Sequence, residues 1–199
     1  MVNNNLYSKN QIEKLGNAII YLAEKIQPLS KTKLLKLIYL LEETAVKKYG
    51  VPFLGIDFQL WKLGPVAKDL FIELSSSPAL LDNYIAVANN NDATFITAKQ
   101  PFCDDEFSDM EMELMDIVVS TFRNYTAHDL INITHRENHP WHDAAKSSGY
   151  LEAFDKNQCN STEIVLDLSS MLNELPEQKA FYLSTLAFQK QSNHLKGIA

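Results

Sequence analysis

A chain of 199 residues that is 46% hydrophobic and 22% charged can bury a core and fold as one domain, and that balance excludes a disordered chain. Its formal charge of −7 and pI near 5.2 argue against polyphosphate as the main partner, because such partners are held by clustered cations. The two cysteines, Cys103 and Cys159, lie far apart without CxxC spacing, which leaves out a zinc knuckle or a disulfide framework and fits a reducing compartment.

The opening MVNNNLYSKNQ lacks the basic start and apolar core of a signal peptide. No apolar run approaches the roughly 18 residues of a membrane span, so a cytoplasmic location is expected. Ile12, Leu15, Ile19, Leu22 and Ile26 recur at three- and four-residue steps and predict a helix with one buried stripe, capped by Ser8 and closed by Pro28. Leu34, Leu37, Ile38, Leu41 and Ala45 share one face of a second helix, capped by Ser30 or Thr32 and stopped at Gly50. Leu35, Tyr39 and Val46 widen its apolar surface, as in a central helix packed on two sides. Lys31, Lys33 and Lys36, with Lys47 and Lys48 at the far end, are too sparse for a nucleic-acid stripe and read as a solvated helix face.

FLGIDFQLWKLG predicts a short strand over 57–62, followed by a turn at Gly64-Pro65. Pro65 then suits the first position of a helix over 66–74, which Ser75, Ser76, Ser77 and Pro78 end. The β-rich runs 84–88 and 94–98, joined through an asparagine-rich connection, predict a hairpin. The strand at Asp57 is expected to join it, since a lone hairpin is marginal in water. Ser108 with Glu111 and Thr126 with Asp129 form capping boxes that open helices running through Phe122 and from Ala127 to about Ile133. Residues 162–175 fit strand or helix, and 176–195 read as helix by composition. The expected fold class is α+β and mostly α-helical, a compact helical domain with a small antiparallel β-hairpin or three-stranded sheet, without repeats or a second-domain linker.

The segment THRENHPWHDAAK, 134–146, concentrates the residues that resemble chemistry. His135, His139 and His142 recur near helical spacing, and with Glu137 they would suit a metal-dependent hydrolase. Pro140 disfavours helical geometry at His139, however, and without a helix the spacing loses its meaning. His128 lies close to them in sequence. Neither cysteine has the flanking pattern of an activated nucleophile, and each reads as a small buried hydrophobe. The acids Asp104, Asp105, Glu106, Asp109 and Glu111 sit where a helix dipole favours them. No phosphate-cradling or serine-hydrolase motif occurs. Trp61 and Trp141, each beside a proline turn, read as core anchors, whereas an exposed ring would mark a binding hot spot.

Three pieces in this order, KLLKLIYLLEE, WKLGPV and THRENHPWHDA, resemble the Panacea domain of SocA-like antitoxins, also known as phage-associated GepA-like proteins. The resemblance covers about 33–145 and leaves 151–199 as a C-terminal extension of a single domain. The shared pattern falls on Trp61, Gly64, Pro65 and Val66, then on Thr134, His135, Pro140 and Trp141. It implies a cytoplasmic, mostly helical antitoxin that neutralises a cognate protein toxin by direct contact, with no catalysis, cofactor, metal or membrane association, and leaves a homodimer open. On this reading His135 hydrogen-bonds a neighbouring backbone group or acid and locks the corner completed by Pro140 and Trp141. The metal-dependent hydrolase stands as the alternative, and a DNA-binding regulator with a helix-turn-helix in the N-terminal half as a third.

Overall fold

The computed structural model describes residues 7–90 and 93–196. Positions Asn91 and Asp92 of the asparagine-rich connection, and the first six residues of the opening segment, lie outside the described residues.

The first helix, α1 (Lys9–Lys25), opens on a capping box in which Ser8 accepts from the Gln11 amide and Gln11 reaches back to the Ser8 amide. A two-residue strand, β1 (Leu29–Ser30), leads into α2 (Lys31–Tyr49), capped by Ser30 and ended by Gly50 in the left-handed conformation. Leu34, Leu37, Ile38, Tyr39 and Leu41 are fully buried in α2, because α1, α4, α5, β3 and a 3-10 turn all pack on it. Each such side chain removed from water contributes about 1.5–3 kcal/mol before entropy.

That enclosure corrects the reading of the lysine run as solvated at Lys33 and Lys36, whereas Lys47 and Lys48 are exposed as expected. Lys36 is 1% exposed and Lys33 is buried, with Lys33 Nζ donating to the carbonyl of Arg123 at 2.7 Å. Where neighbouring elements cover the first half of α2, its lysine side chains are buried with its leucines, and their ammonium groups need acceptors there.

The next segment forms β2 (Gln59–Trp61) and β3 (Gly64–Val66), a tight antiparallel hairpin turning at Lys62 and Leu63. Pro65 therefore lies in a strand, and α3 (Lys68–Glu73) begins later than expected, after Ala67. The hairpin β4 (Ile85–Asn89) and β5 (Thr94–Ala98) forms as expected, but its third strand is β1. The strand near Asp57 pairs elsewhere: β2 sits between β3 and β6 (Ser161–Val165) in a second sheet, of order β3-β2-β6.

Helices α4 (Asp109–Phe122) and α5 (Ala127–Thr134) both open on the expected capping boxes. They are followed by α6 (Pro140–Ser147) and α7 (Tyr150–Asp155). The ambiguous stretch resolves into both candidates, strand β6 and then the 3-10 turn Leu168–Leu172, before α8 (Pro176–Lys196). The described residues thus form a mostly α-helical α+β fold with two small three-stranded antiparallel sheets. Among them no helix is long and apolar enough to cross a membrane.

Candidate functional site

The two shared sequence pieces meet at the junction of β2, β3, α2, α5 and α6. Trp141 is 4% exposed, and its Nε1 donates to the Trp61 carbonyl at 2.8 Å, tying α6 to the hairpin. Gly64 has φ +97°, and a Cβ there would stand 2.7 Å from Thr134 Oγ1 and 3.0 Å from Lys36 Nζ. Only a residue without a side chain admits that approach. Lys36 Nζ donates to the Pro65 carbonyl at 2.8 Å, fastening β3 to α2. Gly64, Pro65, Val66, Thr134, Pro140 and Trp141 are all buried, while Trp61 and His135 are half-buried.

The histidines do not act as a set. His139 is extended (φ −112°, ψ 152°) as the proline after it requires, and its Nδ1 lies 2.8 Å from Glu43 Oε1. His142 Nδ1 is 3.7 Å from Asp143 Oδ1, and His128 is exposed on α5. Among the described residues no group of three or more His, Cys, Asp or Glu side chains is placed to hold a metal ion. Cys103 is exposed, contrary to the reading of it as buried, and Cys159 is half-buried; both are free thiols.

His135 departs from its expected role. Its ring stacks on Trp141 at a centroid distance of 3.6 Å and an interplanar angle of 14°, and its buried Nε2 has no hydrogen-bond partner among the described residues. The imidazole serves as a flat packing surface, and Trp141 makes the locking hydrogen bond instead. Burial, with the charge of Lys36 and of His142 beside it, pushes the His135 pKa down to about 4.

Burial likewise pushes Lys36 down to about 7. Between that value and the ordinary 10.5 the unfolded chain holds a proton that the folded chain releases, so stability rises with pH across this window. Denaturant unfolding of the wild type should show a rise of roughly 2 kcal/mol from pH 7 to 9. Lys36→Met should lack the rise, and an equal rise in both proteins would refute the assignment.

Above the buried pieces lies a solvent-facing strip. Trp61 Nε1 donates to Gln59 Oε1 at 3.0 Å, Gln59 Nε2 to Glu163 Oε2 at 3.0 Å, and Lys68 Nζ pairs with Glu163 at 2.9 Å. The Trp61 ring meets Phe71 edge-on at 4.9 Å, and Lys31 Nζ sits 3.6 Å from the centre of the Phe71 ring. Leu63, Ile72 and Val165, which neighbour these residues in the turn, α3 and β6, are each half exposed or more.

A further group went unread in the sequence. Glu42 is completely buried in α2, and its carboxylate accepts from the amides of Phe53, Leu54 and Gly55 at 3.2, 2.8 and 3.3 Å. Burial pushes its carboxyl up to about 7 against the opposing pull of those three amides and Lys14. Its signal was available: Glu42 falls in step with Leu35 and Ile38 on an apolar helix surface, where a carboxylate needs donors.

Fold and site together define a mostly helical α+β domain in which Gly64, Pro65, Val66, Thr134, Pro140 and Trp141 are buried beneath a strip that pairs the half-buried Trp61 and Phe71 rings with the exposed Leu63, Ile72 and Val165. The family model described as "Antitoxin SocA-like, Panacea domain" matches residues 34–142. The chain belongs to this SocA-like Panacea-domain antitoxin family. No curated protein and no solved structure matches it.

Proposed function

We propose that the protein is the antitoxin of a bacterial or phage toxin–antitoxin pair, acting in the cytoplasm as a single domain that neutralises a cognate toxin by direct protein–protein contact. The family match over residues 34–142 carries this reading. The geometry supports it. Gly64, Pro65, Val66, Thr134, Pro140 and Trp141 are buried and so act as scaffold, leaving Trp61 and its exposed neighbours Leu63, Ile72 and Val165 to contact a partner. The charge of −7 favours a basic toxin, mainly by speeding encounter. No residue is assigned a catalytic step.

Co-expression with the adjacent open reading frame is the test. The neighbouring product alone should arrest growth, and this chain should relieve the arrest and co-purify with it; failure of both rescue and co-purification ends the proposal. His135→Ala should lower the melting temperature while the protein that remains folded still neutralises. Unchanged melting with abolished rescue would instead place His135 at the contact.

A further inference from the structure

α5 presents two different faces. One carries Thr134 toward Gly64, and the chain continues from it to the His135–Trp141 stack. The other carries Asp129, Asn132 and Ile133, with Arg136 continuing the row just beyond the helix end, at the three- and four-residue steps that align side chains. With Asn124 and Tyr125 from the preceding turn, these residues line an open cleft of about 470 Å³. Ile133, almost fully buried, gives it an apolar floor, and the Tyr125 ring is propped edge-on against Phe122 at 5.5 Å.

The polar groups around this cleft are uncommitted. Among the described residues, no hydrogen bond or ion pair engages the guanidinium of Arg136, the amides of Asn124 and Asn132, or the hydroxyl of Tyr125. The single acid, Asp129, is already engaged, accepting from the Thr126 amide and hydroxyl at 2.8 and 2.7 Å. In a sequence with 25 acidic residues and only two arginines, Arg136 stands in the cleft and Arg123 directly precedes Asn124.

That set of groups selects a ligand. A guanidinium presents a planar fork of donors matched to a carboxylate. Two side-chain amides can each donate to and accept from a passing peptide backbone, and tyrosine with arginine is the pairing that concentrates binding energy at protein interfaces. A nucleic-acid backbone is a poorer fit, since it calls for several cations and this cleft has one beside an aspartate. We propose that the cleft docks an extended, carboxylate-bearing segment of the cognate partner protein, with Arg136 gripping the carboxylate and Asn124, Asn132 and Tyr125 holding the adjacent backbone. This rests on the antitoxin reading: overall charge steers a basic partner in, and the cleft then reads one acidic segment of it.

The full chain, labelled with ¹⁵N, should be titrated with an end-blocked peptide carrying two adjacent glutamates between glycines. Its glutamine analogue and inorganic phosphate serve as comparison probes. The amide signals of Asn124, Tyr125, Asn132 and Arg136 should shift saturably with the glutamate peptide. Affinity should fall roughly tenfold for the glutamine analogue or in Arg136→Gln, the scale of one lost charge-assisted contact. Absent shifts, equal shifts with the glutamine analogue, or stronger shifts with phosphate would overturn the proposal. In the growth assay, Arg136→Gln should weaken rescue at unchanged melting, with Arg136→Lys recovering part of it. Undiminished rescue by Arg136→Gln beside a rescuing wild type defeats the cleft alone; a wild type that never rescues defeats the antitoxin reading, and the titration then decides the cleft.

Discussion

Gly64→Ala should destabilise the protein by roughly 2–6 kcal/mol, combining about 1–3 kcal/mol of backbone strain with about 1–3 kcal/mol of overpacking. The strain arises because φ is +97°, a conformation that side-chain-bearing residues rarely adopt. The overpacking arises because the new Cβ meets Thr134 Oγ1 at 2.7 Å and Lys36 Nζ at 3.0 Å. Thr134 is buried and its hydroxyl is committed to the Ile131 carbonyl, while Lys36 is committed to Pro65, so neither neighbour yields freely. Chemical denaturation measures the loss, and a change below about 1 kcal/mol would show that β3 relaxes away from α2 and α5 at little cost. Because β3 pairs with the strand that carries Trp61, the substitution should also weaken the proposed toxin neutralisation in proportion to the folded fraction lost.

Glu42→Leu should cost about 2–6 kcal/mol, since it removes the acceptor from three amides, two of them shielded from water and each worth about 1–3 kcal/mol when buried without a partner. Phe53 and Leu54 are themselves buried, so water does not replace the lost acceptor at those two amides. Glu42→Gln separates hydrogen bonding from charge. The folded-state value near 7 lies above the ordinary 4.5, so the contribution of Glu42 is fully present below about 4.5 and is lost as pH rises through 7. The wild type should therefore lose stability relative to Glu42→Gln between pH 5 and 7, an effect read from paired unfolding curves. Parallel curves across that range would mean the carboxylate is charged throughout. His135 contributes in the opposite sense: with a folded value near 4, its stability contribution grows as pH rises from about 4 toward 6.5. Comparing the variant with the wild type cancels that second titration.

The two sites explain why this chain places charged side chains inside. Both Lys36 and Glu42 hold a loop or strand on α2 through backbone groups, at Pro65 and at Phe53 to Gly55, rather than through a partner of opposite charge. The Pro65 carbonyl lies on the edge strand β3 and the amides of Phe53 to Gly55 lie outside any strand, so neither has a ladder partner of its own, and a side chain from the central helix supplies one. Glu43 instead works through side chains, accepting the Tyr39 hydroxyl, pairing with Lys47 and lying within hydrogen-bond distance of His139 at the start of α6.

Features governed by neighbours along the chain were decided by the sequence itself. The Ser8, Ser108 and Thr126 capping boxes, the Gly50 stop and the break at His139 before Pro140 depend on contacts within a few residues, and each forms where those residues stand. The order of the WKLGPV and THRENHPW pieces likewise pointed to the family. Tertiary structure alone decided which strands paired: β1 rather than β2 completed the β4–β5 hairpin, and β6 joined β2 from about a hundred residues away. It also turned Lys36 inward, made His135 a stacking surface, and opened the Arg136 cleft between α5 and its preceding turn. The physical reason is range: caps and turns are closed by local hydrogen bonds, whereas burial and strand pairing depend on which distant surfaces meet, and periodicity along a single segment carries no record of that meeting.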